Sequence, residues 1–245
     1  MTPSPFAPFA THRYTSAMEE GATDVIARIA IVAVPVLAAI VLHEVAHGAV
    51  AWLCGDPTAA RAGRLTLNPI PHIDPFGTVI LPGLLLLAPL LFGTRPLLFG
   101  YARPVPIDVR QLRHPRRDSI LVALAGPGTN LALAGVSAVA LGIVLSFVPS
   151  AGDAGTLTSG IAEMLGASVV INCVLAVFNL LPVPPLDGGR VLTALLPLPA
   201  ARALARVEGI GFIVVLLVVM NTGVVRWLTA PVLEFFYGLA AEVAG

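Results

Sequence analysis

The sequence predicts an all-α fold, a polytopic transmembrane helical bundle with a re-entrant hairpin. Hydrophobic residues make up 57% of the 245 residues and charged residues only 11%. Mean hydropathy is +0.90, and the remaining charges are sorted into loops between long uncharged runs. In lipid every backbone polar group must be satisfied internally, so such runs read as helices. The length suits one compact helical unit, and no stretch is polar enough for a separate soluble domain. Formal net charge is zero, so nothing in it points to nucleic acid.

Residues 1–24 are mixed and polar and lack the basic start and early apolar core of a cleaved signal peptide. The first helix, over about 24–54, is therefore expected to act as an uncleaved signal anchor. A polar loop follows at 55–75. Residues 75–94 are uncharged, but Pro82, Gly83 and Pro89 leave a core short for a span. Apolar helices are then expected over 119–152, 164–181 and 209–225. The tail, 229–245, carries Glu234 and Glu242 and reads as an interfacial segment. The organisation is thus 1–24 polar, 25–228 membrane domain and 229–245 interfacial. Cys54 and Cys173 lack a C-x-x-C partner and read as packing residues.

Arginines decide the topology of the ambiguous segment. Arg95, Arg103, Arg110, Arg113, Arg116 and Arg117 follow it, and Arg61 and Arg64 precede it. Arg190, Arg202 and Arg206 mark a third basic loop, whereas the loop around Asp153 has no arginine. By the positive-inside rule the three basic loops are cytoplasmic. Residues 76–94 must then enter and leave by one face, which predicts a re-entrant hairpin. The N-terminus is expected outside.

Within the first helix lies His43-Glu44-x-x-His47. At about 100° per residue, both imidazoles fall on one helix face and reach a single tetrahedral Zn²⁺. Glu44 beside them could take a proton from water held by the metal and return it to a leaving amine. Ionisable groups amid Ile40, Val41, Leu42 and Val45 are costly in lipid unless they pair, bind metal or line a wet cavity. Structural histidines bonded to neighbouring helices are the simpler alternative.

Zinc needs a third protein ligand. His43 and His47 are expected about 12–18 Å from the cytoplasmic face, counting about 1.5 Å per residue. Asp187 follows a helix of the same direction, in Phe178-Asn179-Leu180-Leu181-Pro182-Val183-Pro184-Pro185-Leu186-Asp187-Gly188-Gly189-Arg190. The prolines break the helix, and Asp-Gly-Gly can turn a carboxylate inward before a short helix resumes. Asp187 is the preferred third ligand; capping the next helix is its other reading. His72 and Asp74 are the next candidates, although turn formation explains them as well. Glu163, His12 and His114 read as surface residues. Gly126-Pro127-Gly128-Thr129-Asn130 is expected to interrupt its helix at matching depth, with Asn130 serving as oxyanion donor or interhelical glue.

With these residues in place, the chain resembles the site-2 protease family of intramembrane zinc metalloproteases. The matching stretches are His43-Glu44-x-x-His47, Ala125-Gly126-Pro127-x-x-Asn130, and Phe178 through Arg190. The loop from Arg64 to Gly77 and Gly100-Tyr101-Ala102-Arg103-Pro104-Val105-Pro106 resemble the compact prokaryotic branch, without PDZ or CBS modules. The resemblance implies a three-helix metalloprotease core, one Zn²⁺ per chain held by His43, His47 and Asp187, and Glu44 as the catalytic residue. It also implies hydrolysis within or near a transmembrane segment of a single-pass membrane protein, in contact with membrane lipid. The alternative is a metal-binding transporter or sensor using the same ligands without hydrolysis.

Overall fold

The computed structural model describes residues 22–80, 84, 87, 102–147, 156–206, 209 and 223–245. It is helical, with no strand among the described residues. The elements are α1 (Ala22–Leu53), the single turn α2 (Thr58–Arg61), α3 (Pro115–Ser146), α4 (Thr156–Asn179), α5 (Asp187–Leu195), α6 (Leu198–Arg206) and α7 (Val224–Ala244). Single helical turns lie at Ile70–His72, Pro75–Ile80 and Val109–Gln111.

Four of these helices are long and apolar enough to cross a membrane: Ile29–Leu53 of α1, α3, Leu157–Asn179 of α4, and α7. Together they make an all-α polytopic bundle. Their outward faces carry apolar side chains such as Ile29, Val136, Trp227 and Phe235, all exposed, as a lipid-facing surface requires.

The bundle closes through small residues. Ala134, Ala138 and Leu141 of α3, Ala162, Val169 and Cys173 of α4, and Phe236 and Ala240 of α7 form one buried cluster. Lipid tails are as apolar as leucine, so close van der Waals approach replaces hydrophobic expulsion as the source of cohesion. At Gly142 an added Cβ would lie 2.5 Å from the Ala240 carbonyl oxygen, so α3 meets α7 almost backbone to backbone.

Polar pairs set the helix directions. His47 meets Val122 and His43 meets Asn130, while Asn130 meets Asn172 and Ser137 meets Ser168. Residue numbers rise on α3 as they fall on both partners. Helices α1 and α4 are therefore parallel to each other and antiparallel to α3, the relation needed to bring Asp187 to the histidines.

Several boundaries differ from the sequence expectations. Helix α3 starts at Pro115, where proline suits a first helical position because its missing N–H has no partner there. It also runs unbroken through Pro127, so Gly126–Asn130 does not interrupt it. Neighbouring helices can satisfy the backbone groups that a membrane proline frees. Helix α4 starts at Thr156, earlier than 164, because Glu163 and small polar residues dilute its hydropathy.

The tail expected at the interface belongs to the 21-residue α7, which packs on α3 and α4. Most of the helix expected at 209–225 and most of the hairpin expected at 76–94 lie outside the described residues. The flanks of that hairpin are joined, however: the Arg103 N–H donates to the His72 carbonyl at 2.9 Å.

Candidate metal centre

The two histidines of α1 sit one turn apart with rings nearly perpendicular, at 85°, and centroids 4.6 Å apart. Both are buried. The His43 Nδ1–H donates to Asn130 Oδ1 at 2.6 Å, and the His47 Nδ1–H donates to the Val122 carbonyl at 2.6 Å. The carbonyl acceptor at His47 puts the ring proton on Nδ1, and Asn130 does the same for His43, because its amide nitrogen donates elsewhere. That NH₂ faces Asn172 Oδ1 at 2.9 Å and the Ala39 carbonyl at 3.3 Å. Both Nε2 atoms are left as bare lone pairs, 3.0 Å from each other.

Asp187 completes the cluster. The chain leaves α4 at Asn179, passes through the proline-rich turn with a cis peptide between Pro184 and Pro185, and enters α5 at Asp187. An added Cβ at Gly188 would lie 2.2 Å from the Leu180 carbonyl oxygen, and one at Gly189 2.2 Å from Pro184 N. Only Gly-Gly lets α5 seat this tightly on the turn before it. Asp187 is the first residue of α5 and the N-cap position falls to Leu186, so Asp187 is not the cap of this helix. Instead Oδ2 stands 3.2 Å from the Nε2 of both His43 and His47, and Oδ1 faces Arg190 at 3.7 Å.

These ligand atoms all lie within 4.8 Å of one another, a group able to hold a metal ion. Its internal chemistry favours one. Asp187 Oδ2 is buried with no hydrogen-bond donor among the described residues, and two imidazole lone pairs point the same way. Three buried acceptors converging without a proton donor suit a cation. Gly126 shapes the remaining wall, since a Cβ there would lie 2.4 Å from His47 Nε2 and 2.5 Å from His43 Cε1. Glu44 is half-buried on the adjacent face of α1, and its Oε2 accepts the Val105 N–H at 2.8 Å.

The other sequence candidates fall elsewhere. His72 is buried, and its Nε2–H donates to the Thr66 carbonyl at 3.0 Å. Asp74 Oδ1 accepts the N–H groups of Phe76 and Gly77 at 3.0 and 2.7 Å, a turn-forming role. Glu163 and His114 are exposed, and His12 lies outside the described residues. Asn130 orients His43 and bridges α1, α3 and α4, which is closer to interhelical glue than to an oxyanion donor. Sequence reasoning missed Asn172, although a carboxamide in the middle of an apolar helix is itself a signal of buried polar function.

The loops beside the site are charged. Burial, and then the nearby Arg103 guanidinium, holds the Arg64 guanidinium below its ordinary pKa. Hydrogen bonds from Arg110, side chain first, pull the half-buried Asp108 carboxyl down to about 2.

A helical membrane bundle enclosing a His-His-Asp cluster beside a glutamate defines a multi-pass membrane metalloprotease. Residues 31–221 match the model of peptidase family M50, the site-2 proteases, and the chain belongs to that family. It is similar to YwhC of Bacillus subtilis (strain 168), 42% identical over 71% of this chain and 73% of the relative. It is also similar to Rip2 of Mycolicibacterium smegmatis, 34% identical over 82% of this chain and 70% of that protein. Rip2 of Mycobacterium tuberculosis (strain H37Rv) is 30% identical over 78% and 70% of the two chains. All three are provisionally named zinc metalloproteases. No solved structure matches the chain.

Proposed function

We propose that this zinc metalloprotease hydrolyses a peptide bond within or near a transmembrane segment of a single-pass membrane protein. The observation that carries this reading is the convergence of His43, His47 and Asp187 inside the bundle, with Glu44 on the adjoining helix face. His43 and His47 through Nε2, and Asp187 through Oδ2, would hold one Zn²⁺. Bound zinc supplies Lewis acidity for the scissile carbonyl and for the attacking water.

The side chains do the rest. Glu44 takes the proton from the attacking water and delivers it to the leaving amine. Asn130 and Val122 keep both imidazoles in the metal-binding tautomer. A substrate helix must unwind before cleavage, because its carbonyls are otherwise engaged by its own N–H groups. The arginine pattern supports an external N-terminus and an active site nearer the cytoplasmic face.

The test compares zinc content and cleavage of a model transmembrane substrate for wild type, His47→Ala, Asp187→Ala and Glu44→Gln. Loss of zinc in the first two variants, with zinc kept but cleavage lost in Glu44→Gln, is the expected result. Full cleavage by zinc-loaded Glu44→Gln overturns the assignment. Metal flux into proteoliposomes that disappears in His47→Ala would instead identify a transporter.

A further inference from the structure

The Arg103-Pro104-Val105-Pro106 stretch has no place in the metal cluster, yet it lies against Glu44 beside that cluster. Pro104 and Pro106 carry no N–H, so Val105 offers the only amide donor of the Pro-Val-Pro unit. That donor goes to Glu44 Oε2 at 2.8 Å. A proline after Val105 also confines its backbone to the extended region.

The segment is pinned on both sides of this contact. Upstream, the Arg103 N–H donates to the His72 carbonyl at 2.9 Å, and Arg64 Nη2 donates to the Arg103 carbonyl at 2.5 Å. Downstream, the Asp108 N–H donates to Asp56 Oδ2 at 2.7 Å. Asp56 is fully buried. Its Oδ1 accepts the Thr58 N–H at 2.9 Å and the Thr58 hydroxyl, so the carboxylate staples the segment to the end of α1. Val105 is itself buried, packed over Gly48, where an added Cβ would lie 3.0 Å from Val105 Cγ1. Gly48 stands one turn beyond Glu44 on the same face of α1.

We infer that residues 102–108 form a positioning strap for Glu44, with the Val105 N–H as its working contact and Asp56 as its anchor. This rests on the reading of Glu44 as the proton carrier. Among the described residues this is the hydrogen bond that fixes the carboxylate's rotation. Binding Oε2 leaves Oε1 as the oxygen that meets water, and holds its lone pair in a fixed direction. Proton transfer demands that alignment. Val105 touches no reacting atom and is a positioning residue.

Val105→Pro removes this single N–H from backbone already held extended. In the full-length protein it is expected to keep its zinc and to lower kcat on a model transmembrane substrate by about 10- to 100-fold, with little change in KM. Val105→Ala keeps the N–H and is expected to recover most of that loss. In a Glu44→Asp background the shorter carboxylate falls away from the amide, and Val105→Pro is expected to add less than about threefold. An equal loss in both backgrounds overturns the proposal.

Amide hydrogen exchange decides independently of how the proline variant folds. Because Pro104 and Pro106 have no amide, exchange there reads Val105 almost alone. In Glu44→Ala it is expected to accelerate at least about tenfold, with Arg103 and Asp108 unchanged. An unchanged Val105 rate overturns the strap. If wild type cuts no substrate, the proteolytic reading fails while the exchange result still decides the contact.

Discussion

His43 Nδ1 lies 2.6 Å from Asn130 Oδ1, across the interface between α1 and α3. Asn130 is fully buried and spends its NH₂ on Asn172 and Ala39. Its oxygen is therefore fixed as an acceptor, and it dictates which nitrogen of His43 faces Asp187. Asn130→Leu is expected to lower zinc affinity about 10- to 100-fold, the usual cost of losing a hydrogen bond behind a metal ligand. Asn130→Asp keeps an acceptor toward His43 and is expected to recover much of it. Competition against a chromogenic chelator measures both. Unchanged affinity in Asn130→Leu would remove Asn130 from the site.

Two glycines in one turn of α3 make a matched pair. A Cβ at Gly126 would strike both His43 and His47, whereas one at Gly128 would meet nothing within 4 Å. Gly126→Ala is expected to abolish stoichiometric zinc binding. Gly128→Ala is expected to leave zinc content and cleavage intact and to stabilise the helix by about 0.5–1 kcal/mol through backbone entropy. Zinc analysis and thermal melts of the purified variants check this. Equal behaviour of the two would mean that the α1–α3 approach is looser than these distances state.

The His43, His47 and Asp187 cluster, a group able to hold a metal ion, was legible in the sequence because a helix converts spacing directly into geometry. His43 and His47 needed only the 3.6-residue period, and Asp187 needed the break made by Pro182, Pro184 and Pro185 together with the topology read from the arginines. Parallel α1 and α4 followed from arginine counting. Features that depend on contacts between distant segments were hidden. The acceptor for the His47 Nδ1–H is a backbone carbonyl at Val122, which no residue type announces. Val105 acts through its N–H, so only the flanking prolines mark it. Helix α3 was expected to break at Pro127 because the local rule against proline gave no weight to the neighbouring helices.

Orientation can be tested at the start of α3. Arg116 and Arg117 lie there and are exposed, at the same end of the bundle as the metal cluster, since His47 pairs with Val122. The positive-inside rule puts that end in the cytoplasm. In a cysteine-free background, Arg117→Cys is expected to react with a membrane-impermeant maleimide in inverted vesicles and not in intact cells. Labelling of intact cells would invert the topology while leaving the metal cluster untouched.

Asp187 Oδ2 has no donor among the described residues and faces two imidazole lone pairs at 3.2 Å. A cation satisfies all three acceptors at once, so metal binding and stability are linked. At free zinc about 100-fold above Kd the fold is expected to gain about 2.7 kcal/mol, seen as a higher Tm that chelator reverses. Asp187→Asn separates the two effects. Its carboxamide can present an N–H where Oδ2 stood, donating to an Nε2 acceptor and relieving a buried group whose isolation costs about 1–3 kcal/mol. The variant is expected to bind no zinc tightly and to melt at one temperature with or without chelator. A zinc-dependent Tm of wild-type size in Asp187→Asn would show that the carboxylate is not a ligand, and would return the third position to a group outside this cluster.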